Sequence, residues 1–314
     1  MNISICRTRQ ELFEITSEWR QQRHKLAVVP TMGALHAGHL SLVEAAAQHA
    51  DKVIVTLFVN PKQFDKSEDL EAYPDTERSD ANKLAPLGVD LLYIPDISEI
   101  YPAGFSTTVT IGGFSDSLCG AGREGHFDGV ATVVTKLLLQ TQAHFAMFGE
   151  KDYQQLQLVQ RLVLDLDIPV TIVPCPTVRE SDGLAMSSRN VNLQPADRAI
   201  APYLYKTLQS LALQIREGED IHTSVAKAQS ALESAGFSSV EYIEIRRNND
   251  LSPISGISPT SNAKSVPGND GVACTLCVSA LELALEDYRV FAAVWLGDTR
   301  LIDNLPLAQC QFSS

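Results

Sequence analysis

Val28-Val-Pro-Thr-Met-Gly-Ala-Leu-His-Ala-Gly-His-Leu40 begins as a β-branched run and ends as the start of a helix. The change falls across two glycines and two histidines. Gly33 and Gly38 let the backbone turn tightly and approach a ligand. A helix that starts there points N–H groups and a partial positive charge outward, a geometry suited to phosphate. The spacing Gly33-x4-Gly38 imitates a P-loop, but His39 stands where that motif needs Lys followed by Ser or Thr, so a P-loop NTPase is not supported. His36 and His39, three apart, can reach one phosphate together and give hydrogen bonds or a proton to charge that develops as it is displaced.

On either side of this turn, short β-branched runs alternate with helix-like segments. The runs are Leu26-Pro30, Val53-Val59, Leu91-Ile94, Phe145-Phe148 and Val170-Val173; the helical stretches are Leu40-Ala50, Thr76-Leu87, Gly129-Gln140 and Tyr153-Leu166. Unbroken apolar strands imply a sheet buried on both faces, and the alternation implies parallel strands covered by helices. The expected fold is α/β, a doubly wound Rossmann-like parallel sheet over residues 1–180. Two helical stretches, Pro195-Arg216 and Ile221-Ser234, then precede strands Val240-Arg246 and Tyr288-Gly297, so residues 181–314 are expected to form a smaller α+β domain. Residues 248–277, rich in Ser, Pro, Asn and Gly, read as a flexible surface insertion.

The 314 residues suffice for two domains. With 25 Lys+Arg against 38 Asp+Glu the net charge is −13, which argues against a nucleic-acid partner, so any anionic ligand must meet a local cluster of cations. No apolar run approaches the roughly 18 residues of a membrane helix. Arg7, Arg9 and Glu11 precede any apolar stretch, unlike a secretory leader, and a cytoplasmic location is the expectation. The six cysteines are expected as free thiols; Cys274 and Cys277 form a C-x-x-C without the second pair a structural zinc requires. Gly120-Ala-Gly-Arg-Glu-Gly125 spells the dinucleotide fingerprint, but it does not join a strand directly to a helix, which disfavours a dehydrogenase.

His36-Ala-Gly-His39 resembles the H-x-G-H signature of the nucleotidyltransferase superfamily that includes class I aminoacyl-tRNA synthetases. Met186-Ser-Ser-Arg189 resembles its second ATP loop. The wider strings Pro30–His39, Phe58-Val-Asn-Pro-Lys-Gln-Phe64, Arg123-Glu-Gly-His-Phe127, Phe148-Gly-Glu-Lys-Asp-Tyr-Gln-Gln155, Asp182–Asn190 and Leu301-Ile-Asp-Asn304 together resemble the pantoate-β-alanine ligase family over nearly the whole chain. The resemblance implies that ATP, with Mg²⁺, drives the joining of pantoate to β-alanine through a pantoyl-adenylate. It implies ATP contacts from Met32, Gly33, His36, His39, Lys151, Ser187, Ser188 and Arg189. Gly149 and Asp152 would bind the ribose, and Val178 and Met186 would lie by the adenosine. His39 is the family's proton donor, and His36, Lys151 and Arg189 complete the expected catalytic group.

Asp152 also reads as a helix cap. For pantoate and β-alanine the resemblance implies Gln63 and Gln155, with Asn60 in the same string as Gln63. Arg123 reads equally as added positive charge or as a brace. Asp80 is a candidate Mg²⁺ neighbour, with ordinary helix surface as its other reading. The family further implies a homodimer and a C-terminal domain acting as a lid over ATP, and the insertion is longer than the family's usual segment. A plain adenylyltransferase would lack the Gln63/Gln155 pair. A non-catalytic nucleotide-binding regulator would have no need of a proton donor at His39.

Overall fold

A computed structural model describes residues 3–64, 70, 76–254 and 285–308. Six strands form one parallel sheet: β1 (Ser4–Cys6), β2 (Leu26–Thr31), β3 (Lys52–Leu57), β4 (Leu91–Tyr93), β5 (Phe145–Gly149) and β6 (Thr171–Cys175), in the order β1-β4-β3-β2-β5-β6. Among the described residues, the helices of eight or more residues between them are α1 (Arg9–Gln21), α2 (Ala37–His49), α3 (Glu77–Leu84), α4 (His126–Thr141) and α5 (Tyr153–Asp165). Alternation along β2 explains its unbroken apolar run. Leu26 and Val28 enter one core, with Leu12, Val130 and Leu158, whereas Ala27 and Val29 enter another, with Leu42, Val43 and Leu84. Both faces are buried, as the expected doubly wound architecture requires.

The strand order reverses between β2, which also pairs with β3, and β5. Ligands of open α/β sheets bind beyond the carboxyl ends of the strands at such a reversal. The histidine turn follows β2 and Glu150-Lys-Asp152 follows β5, so the two strings flank the same crevice. Gly120–Gly125 lies instead in a run of turns ahead of α4, with no strand leading into it.

The described chain divides into two compact units, one of residues 1–178 and 186–188, the other of residues 179–185 and 189–314. In the second, the expected long helix is two: α6 (Pro195–Ile200) and α7 (Tyr203–Arg216), separated at Pro202, whose ring is incompatible with a helix interior. Helix α8 (Ile221–Ala235) packs with them over an antiparallel sheet of β7 (Ser239–Arg247), β8 (Tyr288–Leu296) and β9 (Thr299–Pro306). Residues 248–254 are not a free loop: they turn back along β7, and the Ile254 N–H reaches the Ile245 carbonyl at 3.2 Å. The rest of the insertion, with Cys274 and Cys277, lies outside the described residues. Cys6 and Cys175 are buried free thiols. Among the described residues no helix is long and apolar enough to cross a membrane.

Arg179 ties the start of this unit to β9. Its guanidinium grips Asp303 with two bonds of 2.6 and 2.9 Å and stacks 3.7 Å from the centre of the Tyr205 ring. Asp303 is 3% exposed, so the Leu301–Asn304 string carries structure. Asp303→Ala should destabilise this unit by about 3–5 kcal/mol, because it strands a poorly hydrated guanidinium. Denaturant unfolding checks this; an unchanged midpoint would contradict it.

Candidate active site

Local backbone chemistry shapes the turn after β2. Gly33 (φ +90°) and Ala34 (φ +52°) are both left-handed. At Gly33 that conformation favours glycine, and a Cβ there would also press on Asp80 and Thr76 at 3.3 and 3.4 Å. The turn is held from behind by α3 and its preceding residue. The Thr76 hydroxyl accepts the Ala34 N–H (2.8 Å) and donates to Asp80 (2.6 Å). The second Asp80 oxygen accepts the Leu35 N–H (3.0 Å) and meets Lys83 Nζ (3.3 Å), which also reaches the Leu35 carbonyl (2.7 Å). Asp80 is 0% exposed. The helix-surface reading of Asp80 is therefore corrected: its carboxylate points into the protein and braces the turn.

The expectation of outward N–H groups also changes. The N–H groups of Gly33, Ala34, Leu35, His36 and Gly38 all meet acceptors of the chain itself. The imidazoles take over the role of donors. His36 caps α2 by accepting the Gly38 N–H on Nδ1 (3.2 Å), and His39 Nδ1 accepts the His36 N–H (3.4 Å). An Nδ1 that accepts carries no proton, so each neutral ring holds its hydrogen on Nε2. The rings lie 4.1 Å apart. Burial lowers the His36 pKa, helped by the charges of Lys151 and Lys83. Burial and His36 together push His39 down to about 4. Near pH 7 both are neutral hydrogen-bond donors.

Across the crevice, Gly149 ends β5, Lys151 follows on a helical turn, and Asp152 occupies the N-cap position of α5 without making a capping hydrogen bond. Half-exposed, Asp152 pairs with Lys151 at 3.4 Å. The cap reading of Asp152 is thus not realised. Its neighbour Gln154 is buried and pins the preceding loop through the carbonyls of Phe114 and Ser117 (2.7 and 2.8 Å) and the Cys119 N–H (3.0 Å). Gln155 sits half-buried one position on. Beyond β6, the Val178 carbonyl accepts the Met186 N–H (3.0 Å), and the Met186 Cβ is 3.7 Å from where a Cβ on Gly38 would lie. The two ATP-type signatures therefore meet at Met186 and Gly38. Ser187 and Ser188 belong to this unit, whereas Arg189 falls in the other.

Beyond β3, Pro61–Gln63 forms a helical turn opened by Asn60. The Asn60 amide donates to Gln63 Oε1 (3.0 Å) and to the Gly129 carbonyl (3.1 Å), and its oxygen accepts the Tyr101 hydroxyl (2.7 Å). Gln63 Nε2 points to Met32 Sδ at 2.9 Å. Arg123 and His126 both reach the Gln63 carbonyl, at 3.3 and 2.7 Å. Of the two readings of Arg123, this geometry favours the brace. His126, Gln154 and Tyr101 were not legible as site residues; His126 and Gln154 lie inside family-like strings, but nothing in their spacing sets them apart from core residues.

A doubly wound α/β sheet whose switch-point crevice is lined by an H-x-G-H turn defines the class. The chain belongs to the pantoate-β-alanine ligase family, whose model matches residues 4–306. It is similar to the pantothenate synthetase of Chelativorans sp. (strain BNC1), with 52% identity over 98% of this chain and 99% of the relative. It is also similar to the crystal structure of pantothenate synthetase from Thermus thermophilus, with 40% identity and a TM-score of 0.79 over 98% of this chain and 100% of that one. A pantoate-beta-alanine ligase from Francisella tularensis, described as complexed with beta-gamma ATP and beta-alanine, matches at 32% identity and a TM-score of 0.75, over 98% and 99% of the two chains.

Proposed function

We propose that this chain, an ATP-dependent ligase of pantoate and β-alanine by its family, works through a pantoyl-adenylate. A carboxylate resists amines because its carbon is electron-rich and its oxygen leaves poorly. In the first step a pantoate oxygen attacks the α-phosphorus of ATP and the bond to pyrophosphate breaks. In the second, the β-alanine amine attacks the acyl carbon, the amide forms, an amine proton is lost, and AMP leaves with the bonding pair. ATP thus becomes AMP and pyrophosphate.

The observation that carries this reading is the pair of neutral imidazoles, each with its hydrogen on Nε2, at the strand reversal. They donate to phosphate oxygens that gain charge as pyrophosphate leaves, in a site where burial strengthens each such bond. Since burial holds His39 neutral near pH 7 in the ligand-free protein, we read the expected proton donor there as a hydrogen-bond donor. Lys151, close enough to bias the His36 titration, supplies positive charge from the other side of the crevice. Ser187, Ser188 and Arg189 join the phosphate contacts on the strength of the resemblance, with Met32 and Gly33 beneath the nucleotide, Gly149 and Asp152 at the ribose, and Val178 and Met186 at the adenosine. Gln63 and Gln155 receive pantoate, because amides both donate and accept, as a hydroxy acid demands. Asn60 and Arg123 contribute through Gln63.

Mg²⁺ favours phosphate oxygens and water. Among the described residues no three His, Cys, Asp or Glu converge on a metal position, and the Asp80 oxygens face protein donors. The ion would therefore enter with ATP and lean little on the chain. A homodimer, carried over from the resemblance, and a cytoplasmic location, expected from the charged N-terminal residues, belong to the same proposal.

The decisive experiment is exchange of labelled pyrophosphate into ATP with pantoate and without β-alanine. Pantoate-dependent exchange is expected. Its absence in an enzyme that still makes pantothenate would remove the adenylate.

A further inference from the structure

We infer that His126, backed by Arg123, is a positioning residue for acid recognition: the pair holds the Gln63 carbonyl and thereby fixes where the Gln63 amide points. The inference rests on the reading that Gln63 receives pantoate.

Three observations carry it. First, His126 is 8% exposed and its Nδ1 meets the Gln63 carbonyl at 2.7 Å, while its Nε2 meets Arg123 Nη1 at 3.0 Å. A guanidinium only donates, so Nε2 accepts and Nδ1 carries the hydrogen. Arg123 thereby sets the tautomer that can bond the carbonyl. Second, Arg123 Nη2 reaches the same carbonyl at 3.3 Å, so two donors converge on one oxygen. Third, the first turn of α4 is pressed against the turn that carries Gln63. A Cβ on Gly129 would stand 2.2 Å from the Lys62 carbonyl, and the Asn60 amide bridges the Gly129 carbonyl and Gln63 Oε1. The Gln63 backbone is held by His126 and Arg123, and its side chain by Asn60.

An amide recognises a hydroxy acid only from a fixed direction, and a displacement of about 1 Å at a substrate contact is enough to cost large factors. Loss of His126 frees the Gln63 carbonyl and lets the amide drift. Pantoate should suffer far more than ATP, since the histidine turn hangs from β2 and Gln63 from β3, and the Gln63 amide reaches that turn through its contact to Met32 Sδ.

The test uses the full-length enzyme with His126→Leu, His126→Asn, Gln63→Ala and the double variant His126→Leu/Gln63→Ala. His126→Leu should raise the pantoate KM about tenfold or more with the ATP KM changed less than about twofold. His126→Asn, whose Nδ2 hydrogens stand near the imidazole Nδ1 hydrogen, should recover most of the loss. In the Gln63→Ala background His126→Leu should add less than about a further twofold, because the group it aims is gone. An unchanged pantoate KM in folded His126→Leu, or an undiminished effect in the Gln63→Ala background, would overturn the inference. Gln63→Ala leaving the pantoate KM untouched would instead show that the reading beneath it had failed. Should His126→Leu not fold, Arg123→Leu replaces it, removing one donor from the Gln63 carbonyl and the partner that sets the His126 tautomer. A rise in pantoate KM with the ATP KM nearly unchanged is then the expected result, and an unchanged pantoate KM the contrary one.

Discussion

Replacing His39 with alanine lowers turnover about 10²-fold or more while the protein keeps its fold, because it removes a preorganised donor from the position where charge develops. The ring's geometry makes the prediction sharper. Its Nδ1 is engaged by the His36 N–H, so the active hydrogen is on Nε2. The amide nitrogen of glutamine lies at the same distance along the side chain. His39→Gln should therefore recover a large part of what His39→Ala loses, which it could not do if an imidazolium were the working species. Steady-state rates of the two variants, beside circular dichroism spectra, decide the matter; equal rates for both would count against a neutral donor. With His39 pushed down to about 4, its charging should not depress activity until pH nears that value. Stability follows with a definite sign. The unfolded histidine binds its proton near pH 6.5 and the folded one only near 4, so stability falls as the pH is lowered across that interval.

Asp80→Ala should be comparably damaging for a different reason. It leaves the Leu35 N–H, the Thr76 hydroxyl and the Lys83 ammonium without their shared acceptor. Lys83 can turn to water, so the loss is that of the acceptor of the remaining donors, about 1–3 kcal/mol for each one left buried. The left-handed turn at Gly33 and Ala34 would relax, and the imidazoles it launches would shift. Thr76→Val separates the two consequences. It removes one hydroxyl and should cost about 1–2 kcal/mol of stability, yet it frees the Ala34 N–H and should still lower kcat/KM about tenfold or more. Chemical denaturation and kinetics on both variants would check this. Normal kcat/KM in folded Thr76→Val would mean the brace does not reach the chemistry.

The parallel sheet and its covering helices were readable because strands buried on both faces have little room for polar residues. Where that pressure is weak the reading failed. Strand β1 is three residues at the sheet edge, too short to show a period. Helix α1 is mostly polar, although Thr8 and Glu11 form a capping box that marks its start. The hairpin into β9 turns at Gly297-Asp298, a two-residue signal that was there to use. In the site, the histidines and Gln63 stood out because glycines and prolines frame them. Asp80 stood out only as a candidate Mg²⁺ neighbour, and His126 and Gln154 not at all, since a single polar residue on a helix looks the same whether it faces water or seals a turn. What separates Gln154 from Gln155 is direction alone, and no local pattern encodes it.

The feature with the widest consequence is that the histidine turn and the Gln63 turn, with the roles proposed for them, hang from neighbouring but separate strands. The two turns meet where Gln63 Nε2 reaches Met32 Sδ at 2.9 Å, so a rebuilt Gln63 turn must keep that one contact. Retailoring the enzyme toward a different hydroxy acid would then be a matter of β3, its following turn and the helix behind it, while the nucleotide half is inherited intact.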